Sequence, residues 1–134
     1  MTLLKLYSAT ALAFFALDLV WLGLVARGFY RTHLGHFLRD QPLWPAALAF
    51  YAVYIAGIVV FAVLPSLRAE SLGTAIALGA FLGFFAYATF DLTALALFRD
   101  FPPIVVVVDL AWGTLLTAGV AGCGYAIGRW LGVA

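Results

Sequence analysis

The chain has very little that would keep it in water. Of its 134 residues, 7 are Lys or Arg and 6 are Asp or Glu, whereas 66% are hydrophobic. With a mean hydropathy of +1.13, so few charges cannot cover the apolar surface of a soluble domain of this length. Cysteine is almost absent as well: Cys123 stands alone, which excludes an intrachain disulfide and a cysteine metal cluster. There is no run of basic residues, and a net charge of +1 gives a nucleic acid nothing to bind. Nucleophile elbow, phosphate loop, haem-attachment motif and dinucleotide fingerprint are all missing. What remains is one membrane domain over residues 1–134.

Four apolar runs are each long enough to cross a hydrocarbon core that takes about 20 helical residues. They cover roughly residues 3–26, 44–64, 72–98 and 103–127. The first resembles a secretory leader in having Lys5 ahead of an apolar stretch, but Asp18 falls where a leader's centre or cleavage site would be, so a retained span is expected. Pro65 with Ser66 to Ser71 predicts one tight turn, and Arg99 to Pro103 another. The expected fold is an all-α integral membrane protein, a four-transmembrane-helix antiparallel bundle.

The longest connection, residues 28–43, reads GFYRTHLGHFLRDQPL. Tyr30, Leu34, Phe37 and Leu38 recur at i, i+4, i+7 and i+8, with His33, His36 and Asp40 to another side. This spacing predicts a short interfacial helix in the first loop, ended by Pro42. Basic residues near the span ends number four on one face (Arg27, Arg31, Arg39, Arg99) and three on the other (Lys5, Arg68, Arg129). The bias puts the first and third loops in the cytoplasm, and an inside anchor at Lys5 would reverse it. Gly79 and Gly83 form a small-xxx-small pair. Gly113, Thr117, Gly119, Gly122 and Gly124 make the fourth span small-faced, suited to close helix packing or to a homodimer through the glycine-rich helices.

Within these apolar runs stand three carboxylates, Asp18, Asp91 and Asp109, half of all acidic residues in the chain. An ionisable group at bilayer depth costs at least ~2.5 kcal/mol, so each needs a partner or a purpose. Asp18 lies nine residues, ~13 Å of helix, before Arg27; Asp91 lies eight, ~12 Å, before Arg99; Asp109 lies six, ~9 Å, after Pro103. Three helices thus carry a carboxylate to nearly one level, near the face of the first and third loops. That level predicts a polar site in which the trio supplies acid/base groups or holds a cation.

Two of the three share a pattern, Asp18-Leu-Val-Trp21 and Asp109-Leu-Ala-Trp112. An i, i+3 pair shares a helix face, so each carboxylate is expected beside its own indole, with Trp21 and Trp112 walling the site above and below. Tyr51, Tyr54, Tyr87 and Thr93 are candidate hydrogen-bonding or binding residues. His33 and His36, one helical turn apart, would with carboxylates be a permissible ligand set for a divalent metal. A His-x-x-His pair on an interfacial helix also occurs as a solvated or headgroup-contacting face.

The Asp18-Leu-Val-Trp-Leu-Gly stretch, Gly28-Phe-Tyr with Leu34-Gly-His36, and Phe50-Tyr51 form the first part of a wider pattern. Tyr54 to Pro65, Tyr87-Ala-Thr-Phe-Asp-Leu-Thr93 and Asp109-Leu-Ala-Trp-Gly113 complete it. In combination these resemble the bacterial small predicted membrane proteins of the family domain of unknown function 2177, over nearly the whole chain. Where that family's third-span motif often continues with asparagine, this chain has Ala94. The resemblance implies a four-span bundle in the bacterial inner membrane and names no reaction. Members of such families are often encoded near fatty-acyl-modifying enzymes, which implies a membrane lipid or fatty-acyl partner. A small proton- or cation-coupled transporter and a non-catalytic membrane assembly subunit are the alternative readings of the same residues.

Overall fold

Inside a hydrocarbon layer a backbone N–H or C=O has no water to bond, so an apolar run that crosses must satisfy itself as a helix. In a computed structural model, which describes residues 2–38 and 41–132 and leaves the side chains of 25–27 outside that description, four helical segments fit that requirement. Thr2–Leu24, Trp44–Ala69, Leu72–Leu97 and Pro103–Trp130 are each long and apolar enough to cross a membrane. The chain is an all-α integral membrane protein.

The first segment is α1 (Thr2–Trp21), which passes through a π-helical stretch, Leu22–Ala26, into α2 (Arg27–Leu34). The expected short interfacial helix is α2, which follows the first span directly through the π-helical stretch with no loop between them. It also ends at Leu34 and not at Pro42. Gly35 explains the stop: a Cβ there would lie 2.6 Å from the Arg31 carbonyl oxygen, and Phe37 and Leu38 turn back to bond the Leu34 carbonyl. Phe29, Tyr30 and Leu34 press onto a small core of Ala94, Phe101, Val105 and Val106, while Phe37 and Leu38 are exposed. Arg39 and Asp40 lie outside the described residues, as does the side chain of Arg27.

The second segment is α3 (Trp44–Ile58), a π-helical stretch Val59–Val63, and α4 (Leu64–Ala69). Pro65 therefore sits within the helix, where a turn had been expected. A proline removes one N–H and crowds the carbonyl a turn earlier, and the wider π-helical stretch just before it relieves both demands. The helix closes five residues later with Glu70 in the left-handed region (φ 51°), its N–H bonded to Leu67 and that of Ser71 to Ser66. Ser71 then caps α5 (Leu72–Leu97), accepting from the Thr74 N–H at 3.1 Å. Asp100 (φ 59°) and Pro102 turn the chain into α6 (Pro103–Trp130), whose first residue is a proline with no N–H to lose.

Side-chain size decides how the helices meet. On α5, a Cβ on Gly79 would lie 2.6 Å from the Thr117 carbonyl, and one on Gly83 would collide with the Gly113 carbonyl. On α6, a Cβ on Gly113 would enter the Tyr87 ring. Gly124 admits Thr10 from α1 and Val63 from the second span, and Gly128 admits Leu6. The glycine faces read from the sequence are thus occupied by contacts within this chain. Leu6, Phe14, Ile55, Ile58, Val63, Leu116 and Val120 fill the centre, whereas Leu12, Val53, Phe81, Phe85 and Leu115 are exposed, as expected of side chains that face lipid tails.

Gly83→Val should therefore lower the melting temperature in detergent, an overpacking cost of at least about 1–3 kcal/mol. Gly57→Ala, at a helical glycine with nothing within 4 Å of its added Cβ, should leave it unchanged or raise it.

Candidate functional site

The α5–α6 seam carries two of the three carboxylates. Asp91 follows Gly83 by two turns and Asp109 precedes Gly113 by one, so the close approach of the two backbones brings their carboxyl groups side by side. Asp91 is fully buried; no donor bonds either of its oxygens, and the group beside it is the Asp109 carboxyl. In a protein interior an oxygen without a donor costs about 1–3 kcal/mol, more when charged.

Asp109 is bonded from above. Tyr30 of α2 donates its hydroxyl to Asp109 Oδ1. Burial, and next the Asp109 carboxylate, push the Tyr30 phenol above its usual range, so it remains the neutral donor of that bond. Tyr30 had been read only as an apolar position of an amphipathic helix. Its place became visible once α2 was seen to follow α1 without a loop, which brings Tyr30 to the N-terminal part of α6.

Asp18 joins from α1, with the Tyr51 hydroxyl 3.5 Å from its Oδ2. Tyr54, one turn further along α3, bonds Thr117 Oγ1 at 2.7 Å. The tryptophans depart from expectation. They do not sit above and below the site but stack on each other, with centroids 4.4 Å apart and planes 9° from parallel. Side chains on a helix lean toward its N-terminus, and α1 and α6 run antiparallel, so Trp21 and Trp112 lean toward one another until they meet. As a result each indole serves the other helix: Trp112 stands beside Asp18, and Trp21 beside the Tyr30 hydroxyl that holds Asp109.

Together these groups line a cavity of about 300 Å³. Asp18, Asp91 and Asp109 all reach it, with Trp21, Trp112, Tyr30, Tyr54 and Tyr87, and with Leu22, Phe50, Ala86 and Phe90, which sequence reasoning had not placed there. Phe50 and Phe90 are exposed and border its outer side. The second span explains that opening: it holds α5 through its π-helical stretch and α4, while α3 touches α1 and, more sparsely, α6. Toward Trp44 the span therefore parts from α5.

Three expected participants lie elsewhere. Thr93 is exposed and borders a separate surface hollow with Thr89, Ala94 and Phe98. Two residues from Asp91, it points about 160° away around the helix, short of the shared face. His33 turns its Nδ1 to the Phe29 carbonyl at 2.9 Å, and His36 is exposed against Phe37. Among the described residues no group of three or more His, Cys, Asp or Glu side chains converges to hold a metal ion. Neither histidine lines the cavity that the aspartates share.

The family profile described as predicted membrane protein (DUF2177) matches residues 3–126. No curated protein and no solved structure matches the chain.

Two outcomes follow from this geometry. Tyr30→Phe removes the donor from Asp109 and should destabilise the protein by about 1–3 kcal/mol, read as a lower detergent melting temperature. A double-mutant cycle of Trp21→Leu and Trp112→Leu should show a coupling of about 0.5–1.5 kcal/mol, and additive losses would mean that the stack contributes nothing beyond burial.

Proposed function

Because the chain belongs to the DUF2177 family of predicted membrane proteins, whose description names no reaction, we propose its activity from the cavity alone: the three-aspartate site receives the polar end of a membrane lipid or fatty-acyl amphiphile. The observation that carries this is Asp91, fully buried beside Asp109 with no donor bonding either oxygen, on the wall of a cavity bordered on its outer side by exposed Phe50 and Phe90. A polar head passing between α3 and α5 would meet carboxylates within, while its chain stayed against the apolar outer surface of the bundle. That arrangement suits a molecule already in the bilayer better than one arriving from water.

Asp18, Asp91 and Asp109 are the groups assigned to the work. A carboxylate accepts a proton or holds a cation, and Tyr30, beside Asp109, is a neutral donor that fixes the orientation of one of them. Trp21, Trp112, Tyr51, Tyr54 and Tyr87 are assigned to binding and positioning. Cation- or proton-coupled transport is a second reading, favoured by the π-helical stretches Leu22–Ala26 and Val59–Val63, since such stretches recur where helices bend or switch.

Asparagine substitution separates a working carboxylate from a structural one, because it keeps the shape, removes the charge and eases membrane insertion. Asp18→Asn, Asp91→Asn and Asp109→Asn should each hold or raise the melting temperature in detergent. At least two of them should lose the lipid that the parent retains through purification, as read by native mass spectrometry. Unchanged retention in all three variants would discard the site and leave an assembly subunit as the best account.

A further inference from the structure

The chemistry of the cavity wall goes further than a polar head in general. We infer that the head recognised there is an organic ammonium, so that the ligand is an ammonium-headed amphiphile; this rests on the lipid reading above and narrows it. None of the described residues lining the cavity is Lys, Arg or His, so a phosphate or carboxylate head would meet three acidic groups with no counter-charge. Around those acids stand Trp21, Trp112, Tyr30, Tyr54, Tyr87, Phe50 and Phe90. Aromatic faces attract a cation through their quadrupole, and carboxylates attract it through charge. The two together form the box that selects alkylammonium groups.

Size separates this cation from a metal ion. A metal requires several ligand atoms about 2.0–2.6 Å from one point, and no group of three acidic, histidine or cysteine side chains converges so among the described residues. A cavity of about 300 Å³ is far larger than a bare ion and accommodates an ammonium with its substituents. Asp91 supplies the second observation: a fully buried carboxyl on the cavity wall to which no donor in the protein bonds. Asp91 and Asp109, side by side in apolar surroundings, repel one another unless a proton or a cation lies between them, and an ammonium provides the cation.

The tryptophan stack offers the readout. Trp44 and Trp130 are exposed at 55% and 84%, so Trp44→Phe and Trp130→Phe leave Trp21 and Trp112 as the only indoles. This protein, in maltoside micelles, is titrated with dodecyltrimethylammonium, dodecyl sulfate and a neutral dodecyl polyoxyethylene ether, following indole emission and melting temperature. The ammonium amphiphile should act at about tenfold lower concentration than the neutral one and should raise the melting temperature, with Asp91→Asn and Asp109→Asn removing the difference. Equal action by the neutral ether would overturn the ammonium inference while leaving the amphiphile reading in place. If soluble tetramethylammonium alone acts as strongly as the dodecyl compound, the ammonium inference stands and the amphiphile reading fails. Preference for the ammonium that survives both Asn variants would assign the binding to another surface and overturn the inference.

Discussion

The approach of α5 to α6 is the constraint on which the rest depends. Gly83 faces the Gly113 backbone and Gly79 the Thr117 carbonyl, at separations no side chain would permit. In lipid, where no hydrophobic drive brings helices together, such contact supplies the dispersion and backbone attraction that does. The same contact sets the chemistry. With the backbones this close, Tyr87 lies over Gly113, and Asp91 comes to rest beside Asp109. Larger residues at the seam would separate the carboxyl groups along with the helices.

Upon that pair, α1 is laid antiparallel to α6, from Leu6 against Gly128 through Thr10 against Gly124 to Trp21 against Trp112. Two copies of Asp-Leu-x-Trp thus face each other in opposite directions, and their side chains cross over. Each tryptophan leaves its own aspartate for the neighbourhood of the other helix, with Trp112 beside Asp18 and Trp21 beside the Tyr30 that holds Asp109. The acid site and the aromatic stack are consequently one structure.

The second span contributes asymmetry. It is held to α5 by its π-helical stretch and α4, where the cavity is closed, and departs from α5 toward Trp44, where Phe50 and Phe90 border it. Pro65 is central to this arrangement: the wider turn before it lets a proline stand in mid-helix and lets the span continue to Ala69. The acids therefore sit in a cavity with closed packing on one side and an exposed aromatic border on the other, the geometry that the functional proposal uses.

The amino-acid sequence alone determined the solvent, the four spans and the level of the acids. Charge scarcity forces the chain into a bilayer, run length counts its helices, and a rise of 1.5 Å per residue places Asp18, Asp91 and Asp109 at similar depth. Small residues at Gly79, Gly83 and Gly113 announced close packing for the same local reason. Rotation and partnership were decided only by the tertiary structure. Periodicity is almost silent when every face of a helix is apolar, so the exposure of Thr93 could not be read. The turn expected over Pro65 to Ser71 is confined to its last two residues, Glu70 and Ser71, because a π-helical stretch, invisible in composition, relieved the proline. Tyr30 entered the site because α2 follows α1 without a loop, and the tryptophans stacked because antiparallel helices tilt their side chains toward each other. Depth is a one-dimensional property that a sequence carries, whereas the direction in which a side chain points depends on the neighbours that the fold supplies.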